Sequence, residues 1–485
     1  MTEKHRGHWL ILFLLALAQF MVVLDSSIVN VALPALQHSF HLSATSLQWI
    51  VTAYTLAFGG FLLLGGRAAD LYGRRKMFLA GVTLFSLASL LDGLATNGTM
   101  LIALRAVQGL AGAFMSPAAL SIVLITYREG HERNIALSIW GAVAAGGAAV
   151  GVLLGGILTQ YLGWRYNFFI NVPIGLAVLL GAWKIVPKHE SEEKNNQLDL
   201  LGAVSVTSAL MLLVYGLVEA PTRGWTAHST IGFLAAALIA FAVFVVNELK
   251  VKRPLVPFSI FKIRNITGAN LTQMPIAAAL FAIFYFTSIY VQEILGYSPI
   301  RTGLGFLPVP IVIAIAATNA PKLIKKVGYK RVLMVSPWVI ALGMYMLGHV
   351  PVRGSYFTHV MPGLIVMGLG AGFTFVSTTI AATSGVPGHE AGLASGLINT
   401  AQQVGGALGL AILSGVAAAS TSRFLQPLAA HGVDQQVKAA ALVHGFHTAY
   451  YIAACFAIGA AMVATFVIKQ KAGASASGEA TAAAL

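Results

Sequence analysis

Fourteen apolar runs of roughly 19 to 28 residues alternate with short polar loops along this chain. They fall near 9–32, 46–66, 77–96, 99–122, 134–160, 166–186, 198–218, 229–249, 267–292, 302–324, 331–349, 357–381, 391–418 and 445–468. A run of that length crosses the roughly 30 Å hydrocarbon core as a helix, so the pattern predicts fourteen membrane-spanning helices. The first run follows Lys4 and Arg6, but it is too long for a signal peptide and lacks a small-residue cleavage site. It reads as a retained first helix.

The polar positions between the runs give an orientation. One set of alternate loops carries most of the cations, among them Arg67, Arg74, Arg75 and Lys76, then Lys250, Lys252 and Arg253, then Lys322, Lys325 and Lys326. The other set holds only Arg165, Arg223, Arg301, Arg353, Arg423 and Lys438, and Arg105 lies inside a helix. Cytoplasmic loops retain the basic excess, so both termini are expected in the cytoplasm.

Composition agrees with a membrane solvent. The 485 residues are 57% hydrophobic and 9% charged, against about 25% charged for soluble domains. A net charge of +14 first suggests nucleic acid, but its placement in particular loops fits membrane orientation instead, and no nucleic-acid partner is expected. The single cysteine, Cys455, excludes an internal disulfide and a multi-cysteine metal site. No phosphate-binding Gly-x-x-x-x-Gly-Lys-Ser/Thr occurs, and His389-Glu390 lacks the second histidine of a zinc protease helix. No cofactor, metal or enzymatic nucleophile–base cluster is therefore expected.

The chain also repeats itself. The loop Arg67 to Lys76 matches Lys322 to Arg331 around Gly73 and Gly328. Gly109-Leu110-Ala111-Gly112 matches Gly368-Leu369-Gly370-Ala371-Gly372, and His131-Glu132 matches His389-Glu390, all at roughly 255 to 259 positions. This predicts an all-α polytopic membrane protein. Its expected parts are a six-helix bundle over 1–190, inserted helices 7 and 8 with an amphipathic basic linker over 191–262, a second six-helix bundle over 263–470, and a disordered tail over 471–485. A duplicated bundle is the architecture of a rocking transporter.

At these residues the chain resembles the major facilitator superfamily, specifically its fourteen-helix drug:proton antiporters. The resemblance rests on Leu24-Asp25-Ser26-Ser27-Ile28-Val29-Asn30-Val31-Ala32-Leu33-Pro34, on Gly66 through Lys76, and on Leu104-Arg105-Ala106-Val107-Gln108-Gly109. Gly163-Trp164-Arg165 followed by Phe168 to Gly175, and Gly296-Tyr297-Ser298-Pro299 with Gly303 and Pro308, resemble the starts of helices 6 and 10. One departure stands in helix 5, where Gly151-Val152 replaces the family's Gly-Pro.

Candidate chemistry centres on Asp25. A carboxylate at membrane depth is costly and marks a functional site. It lies about 24 Å into helix 1, and Arg105 lies about 9 Å in from the other end of helix 4, so the two have similar depth. The resemblance places both beside a central cavity, as a proton-coupling pair; the alternative is a static ion pair fixing helices 1 and 4. It also implies that Asp70, Gly73, Arg74 and Arg75 form a latch between the halves at the cytoplasmic face, where topology alone would require only bases. Gly147, Gly151, Gly155 and Gly156 form a small-residue packing face on helix 5, the region of the antiporter motif, with a further expectation that it slides against the opposite half. Tyr54, Gln108, Phe284, Tyr285, Glu293 and Asn399 are candidate cavity groups, and Asp92 and Glu219 read as solvated near the outer boundary.

The expectation is a monomeric multi-pass protein of the inner (plasma) membrane that exports lipophilic, often cationic compounds in exchange for protons. A specific metabolite, such as a peptide, amino acid or siderophore, is the alternative cargo.

Overall fold

A computed structural model describes residues 3–127, 131–187, 199–224, 226–252, 254–384, 391–427 and 434–470. Among them, fourteen helices are long and apolar enough to cross a membrane. They are α1 (His8–Phe40), α2 (Ser46–Tyr72), α3 (Arg74–Gly93), α4 (Gly98–Thr126), α5 (Ile135–Tyr161), α6 (Tyr166–Ile185) and α7 (Leu200–Ala220). The rest are α8 (His228–Lys250), α9 (Arg264–Ile294), α10 (Pro299–Val327), α11 (Tyr329–Leu347), α12 (Tyr356–Thr383), α13 (Leu393–Leu425) and α14 (Gln435–Phe466). The tail over 471–485 lies outside the described residues, as do His389 and Glu390.

All fourteen expected runs correspond to helices, but their ends differ. Helix α1 continues past the expected limit at residue 32, through Pro34, to Phe40. Proline removes one donor and clashes with the carbonyl four residues back, which here is that of Asn30. That carbonyl accepts instead from Ser288 Oγ on α9, at 2.7 Å. A local defect in α1 thus becomes a contact between distant parts of the chain.

The repeat reappears as backbone geometry. Gly73 joins α2 to α3 at φ 97°, and Gly328 joins α10 to α11 at φ 86°. Both turns need a residue without a Cβ, which accounts for the matched glycines.

Helices α1–α6 pack largely on one another, as do α9–α14. The small-residue faces account for part of this. A Cβ on Gly151 would lie 2.9 Å from Leu24 O, and one on Gly155 would lie 2.8 Å from Ile28 O, so α5 sits directly on α1. In the related position, Gly405 and Gly409 of α13 press on Met274 and Ala278 of α9. The glycine face of α5 was expected to slide against the other set of helices; instead Gly147, Gly151 and Gly155 all meet α1. Only Gly156, one position further round, faces across, against Pro299 and Ile300 of α10. The i, i+4 row defines one face of a helix, and that face is committed to α1.

The two sets meet along α1–α9, α5–α10 and α2–α13. Helix α7 seals the last seam: Val214 and Val218 bury with Leu56 of α2 and Ala407 and Ala411 of α13. Helix α8 packs mainly on α7 and is otherwise peripheral. The following segment contains a short helix, Phe258–Lys262, with Ile260 buried beside Ile266, Ala394 and Leu397.

Candidate functional site

Between the two sets lies a cavity of ≈ 1340 Å³. Its deep wall includes Ser26, Asn30, Tyr54 and Phe284, and it runs out past Arg67, Asp70, Leu124 and Thr383, with Pro254, Leu255 and Pro257 at the rim. Those last residues mark the face that carries the basic α2–α3 loop. The cavity therefore opens on the basic face.

The opposite face is closed by contacts between α1 or α5 and the α9–α10 region. Ser288 donates to Asn30 O at 2.7 Å, Gln292 Nε2 to Val31 O at 3.0 Å, and Ile300 N to Gln160 Oε1 at 3.2 Å. A Cβ on Gly303 would lie 2.4 Å from Val152 O, so α5 and α10 touch backbone to backbone. Val152, where the resemblance expects proline, forms part of this closure.

Asp25 sits at the inner end of the cavity but behind its wall, fully buried. Its Oδ2 accepts from Arg105 Nη1 at 2.6 Å, and its Oδ1 accepts from Gln108 Nε2 and Asn171 Nδ2, each at 2.9 Å. Arg105 also donates to Gln108 Oε1 at 2.5 Å and to Ile50 O at 3.3 Å, and stacks 4.3 Å from the Tyr54 ring centroid. Asn171 donates in turn to Ser89 Oγ at 3.0 Å, and Ser89 donates to Phe168 O at 2.9 Å. Five helices, α1, α2, α3, α4 and α6, thus converge on one carboxylate. Such a pair is stable in low dielectric only because its remaining lone pairs and protons are satisfied.

The other expected residues divide. Tyr54, Phe284 and Asn399 line the cavity, and Gln108, Tyr285 and Glu293 do not. Gln108 is fully buried against Asp25, since i, i+3 spacing from Arg105 turns it to the same partner. Tyr285 follows Phe284, so the helical period points it away, and it is buried beside Phe286 at 5.2 Å between centroids. Glu293 lies on the closed face, 2.9 Å from His38 Nε2 of α1.

Asp70 pairs with Arg74 at 3.3 Å, and Arg75 bonds to Trp183 O of α6. Among the described residues these bonds stay within α2, α3 and α6, on the face that stands open. Glu219 pairs with Arg223 at 2.5 Å on the surface. Asp92 differs from its expectation: it is fully buried, not solvated. Phe169 closes over the end of α3, its ring 2.2 Å from where a Cβ on Gly93 would stand. Sequence reasoning also passed over Asn171 and Ser89; the polar Asn171 inside the apolar stretch from Phe168 to Gly175 was the available signal.

A sequence profile of the Major Facilitator Superfamily matches residues 15–410. The chain is 39% identical to the puromycin resistance protein pur8 of Streptomyces alboniger, over 94% of this chain and 89% of that one. It is 37% identical to the cephamycin export protein CmcT of Amycolatopsis lactamdurans, over 89% of this chain and 90% of that one. A tetracenomycin C resistance and export protein of Streptomyces glaucescens is 35% identical, over 84% of this chain and 75% of that one. Among solved structures, a bacterial homolog of the human lysosomal transporter Spinster, in an inward-facing and occupied conformation, superposes with a TM-score of 0.69. That pair shares 16% identity over 96% of this chain and 97% of the other. The fourteen spans, the cavity between two helix sets and these matches make the chain a multi-pass membrane transporter of the major facilitator superfamily.

Proposed function

We propose that the protein exports lipophilic, often cationic compounds in exchange for protons, with the basic face in the cytoplasm. The observation that carries this is a large, mostly apolar cavity whose deep wall is backed by a buried, fully hydrogen-bonded Asp25–Arg105 pair. Phe58, Leu62, Phe281, Phe284 and Phe375 supply apolar contact, while Gln19, Asn30, Asn399 and Gln403 offer dispersed polar groups. Such a lining recognises shape loosely, and the export and resistance roles named for the relatives fit it.

The coupling follows from charge. With Asp25 ionised, the pair is neutral and a cation in the cavity meets no net repulsion. Protonating Asp25 leaves Arg105 as an uncompensated cation beside Tyr54, and a cationic cargo is then disfavoured by Coulomb repulsion. Proton and cargo therefore compete through Arg105 and Tyr54 without sharing an atom. Rocking of the 1–190 and 263–470 bundles about this site would turn the cavity and its cargo toward the opposite face. Each elementary charge moved along the field contributes about 2.3 kcal/mol per 100 mV.

The direct check is uptake into proteoliposomes under an imposed pH gradient, with the membrane potential clamped. Tetraphenylphosphonium, whose charge does not depend on pH, and puromycin serve as cargo, with a panel of peptides and amino acids in competition. Accumulation of the cation, uninhibited by the panel, supports the proposal; transport of a single metabolite alone would favour the specific exporter.

We also assign Asp70, Arg74 and Arg75 to a latch that forms when the basic face closes. Asp70→Asn should slow turnover about fivefold to tenfold and raise cytoplasmic accessibility of the cavity, as loss of a conformational contact worth about 1–1.4 kcal/mol would. Unchanged turnover and unchanged accessibility would remove the latch.

A further inference from the structure

Asp92 is a fully buried carboxylate that the exchange just described leaves unused. It is fully buried near the far end of α3, and neither of its oxygens has a hydrogen-bond partner. Burying an ionised carboxylate without partners is among the most costly arrangements in a fold. The neighbourhood offers an explanation. Asp92 lies within electrostatic reach of both Arg105 and Asp25. One guanidinium already balances Asp25, so a second ionised carboxylate would leave a net negative charge inside the bilayer. A single proton shared between the two acids restores neutrality.

The surroundings have the layout of a path. Ser89 and Asp92 are i, i+3 on α3, and Asn167 and Asn171 are i, i+4 on α6, so each pair occupies one face. These faces meet at Ser89, which bonds both Phe168 O and Asn171. Asn171 Oδ1 and Asn167 Oδ1 are buried acceptors without partners, like both Asp92 oxygens. Asn167 reaches Thr159, at the last turns of α5 before the closed face, at 2.7 Å. Orphaned acceptors spaced along an interface are what a file of buried water satisfies.

We propose that Asp92 is a second proton-carrying carboxyl, and that the α3–α6 interface, not the central cavity, connects Asp25 with the opposite face. The inference rests on the exchange reading above. In the transfer, the O–H bond at Asp92 breaks and one forms at Asp25; the negative charge moves to Asp92, where Arg105 balances it. Asp92 then takes a new proton from the opposite face along the Asn167–Thr159 side. The charged and titratable groups facing this exchange are Asp25 on α1, Tyr54 on α2 and Arg105 on α4. Arg165, which donates to Ala95 O at 3.3 Å, stands at the outer end.

The test is the near-isosteric Asp92→Asn, with two readouts. Infrared absorption of the purified protein should lose one protonated-carboxyl band relative to wild type. In proteoliposomes, pH-driven tetraphenylphosphonium transport should fall about tenfold or more, while cation–cation counterflow, which needs no net proton movement, stays within about twofold. Asp92→Glu, which keeps an acid, should recover part of the pH-driven rate. An unchanged carboxyl band, a wild-type pH-driven rate, or equal loss of both transport modes would overturn the proposal, the last marking a merely structural role. If the wild type itself moves no cation under the gradient, the exchange reading fails, and the infrared band still decides whether Asp92 holds the proton.

Discussion

Asp25→Asn should abolish pH-driven cation transport, with a loss of about a hundredfold or more, in the range that removing a positioned proton carrier produces. The substitution keeps the side-chain volume and makes position 25 permanently neutral, which imitates the protonated site. Arg105 then remains charged without its carboxylate partner at 2.6 Å. Breaking one side of a buried pair costs about 3–5 kcal/mol, so the variant should also melt earlier, and folded protein must be confirmed before transport is read. The static-pair alternative shares the loss of stability but not the loss of coupling. In that case the folded fraction would still accumulate cation with the wild-type dependence on the gradient. Uptake per folded molecule, measured at several gradients, separates the two.

Gly303→Val is expected to have the next largest effect, through conformation and not chemistry. The closed face depends on α10 approaching α5 so nearly that a Cβ at 303 would stand 2.4 Å from Val152 O. Backbone cannot yield as a flexible side chain does, so the two helices must separate and this conformation loses stability. The protein should then spend more time with the basic face shut. Labelling of a cysteine placed at Ser121, on the cavity wall, should slow about tenfold from the basic side once the exposed Cys455 has been replaced. Transport should fall in parallel. Leu304→Ala, at an exposed neighbour on the same helix, supplies the control and should change neither. Wild-type labelling in Gly303→Val would mean that the α5–α10 contact does not hold the closed face.

The spans were legible because lipid leaves the backbone no alternative: every N–H and C=O must be satisfied within the segment, so helices write their length in the hydropathy pattern. The repeat was legible for a different reason, since only glycine accommodates the positive φ at Gly73 and Gly328. Asp25 and Arg105 could be matched by depth, because rise per residue is fixed. What depth does not give is direction. Phe284 and Tyr285 are adjacent in sequence, yet one lines the cavity and the other is buried beside Phe286. The glycine row on α5 announced close packing but not its partner, which is α1. Asp92 was misplaced because its position near a helix end implied water, yet the fold buries it completely, and Phe169, distant in sequence, packs on the next residue, Gly93. Polar partners drawn from five helices, such as Asn171 and Ser89, carry no local signal of their meeting.

If cargo and proton compete at Asp25, binding of one must release the other, and one titration tests this. Purified protein in weakly buffered detergent solution, mixed with saturating tetraphenylphosphonium, should release protons in proportion to the sites filled. Asp25→Asn, with no proton to lose there and Arg105 left uncompensated, should release none and bind the cation more weakly than wild type. Cation binding by the wild type with no proton release, or equal release by wild type and Asp25→Asn, would contradict the claim.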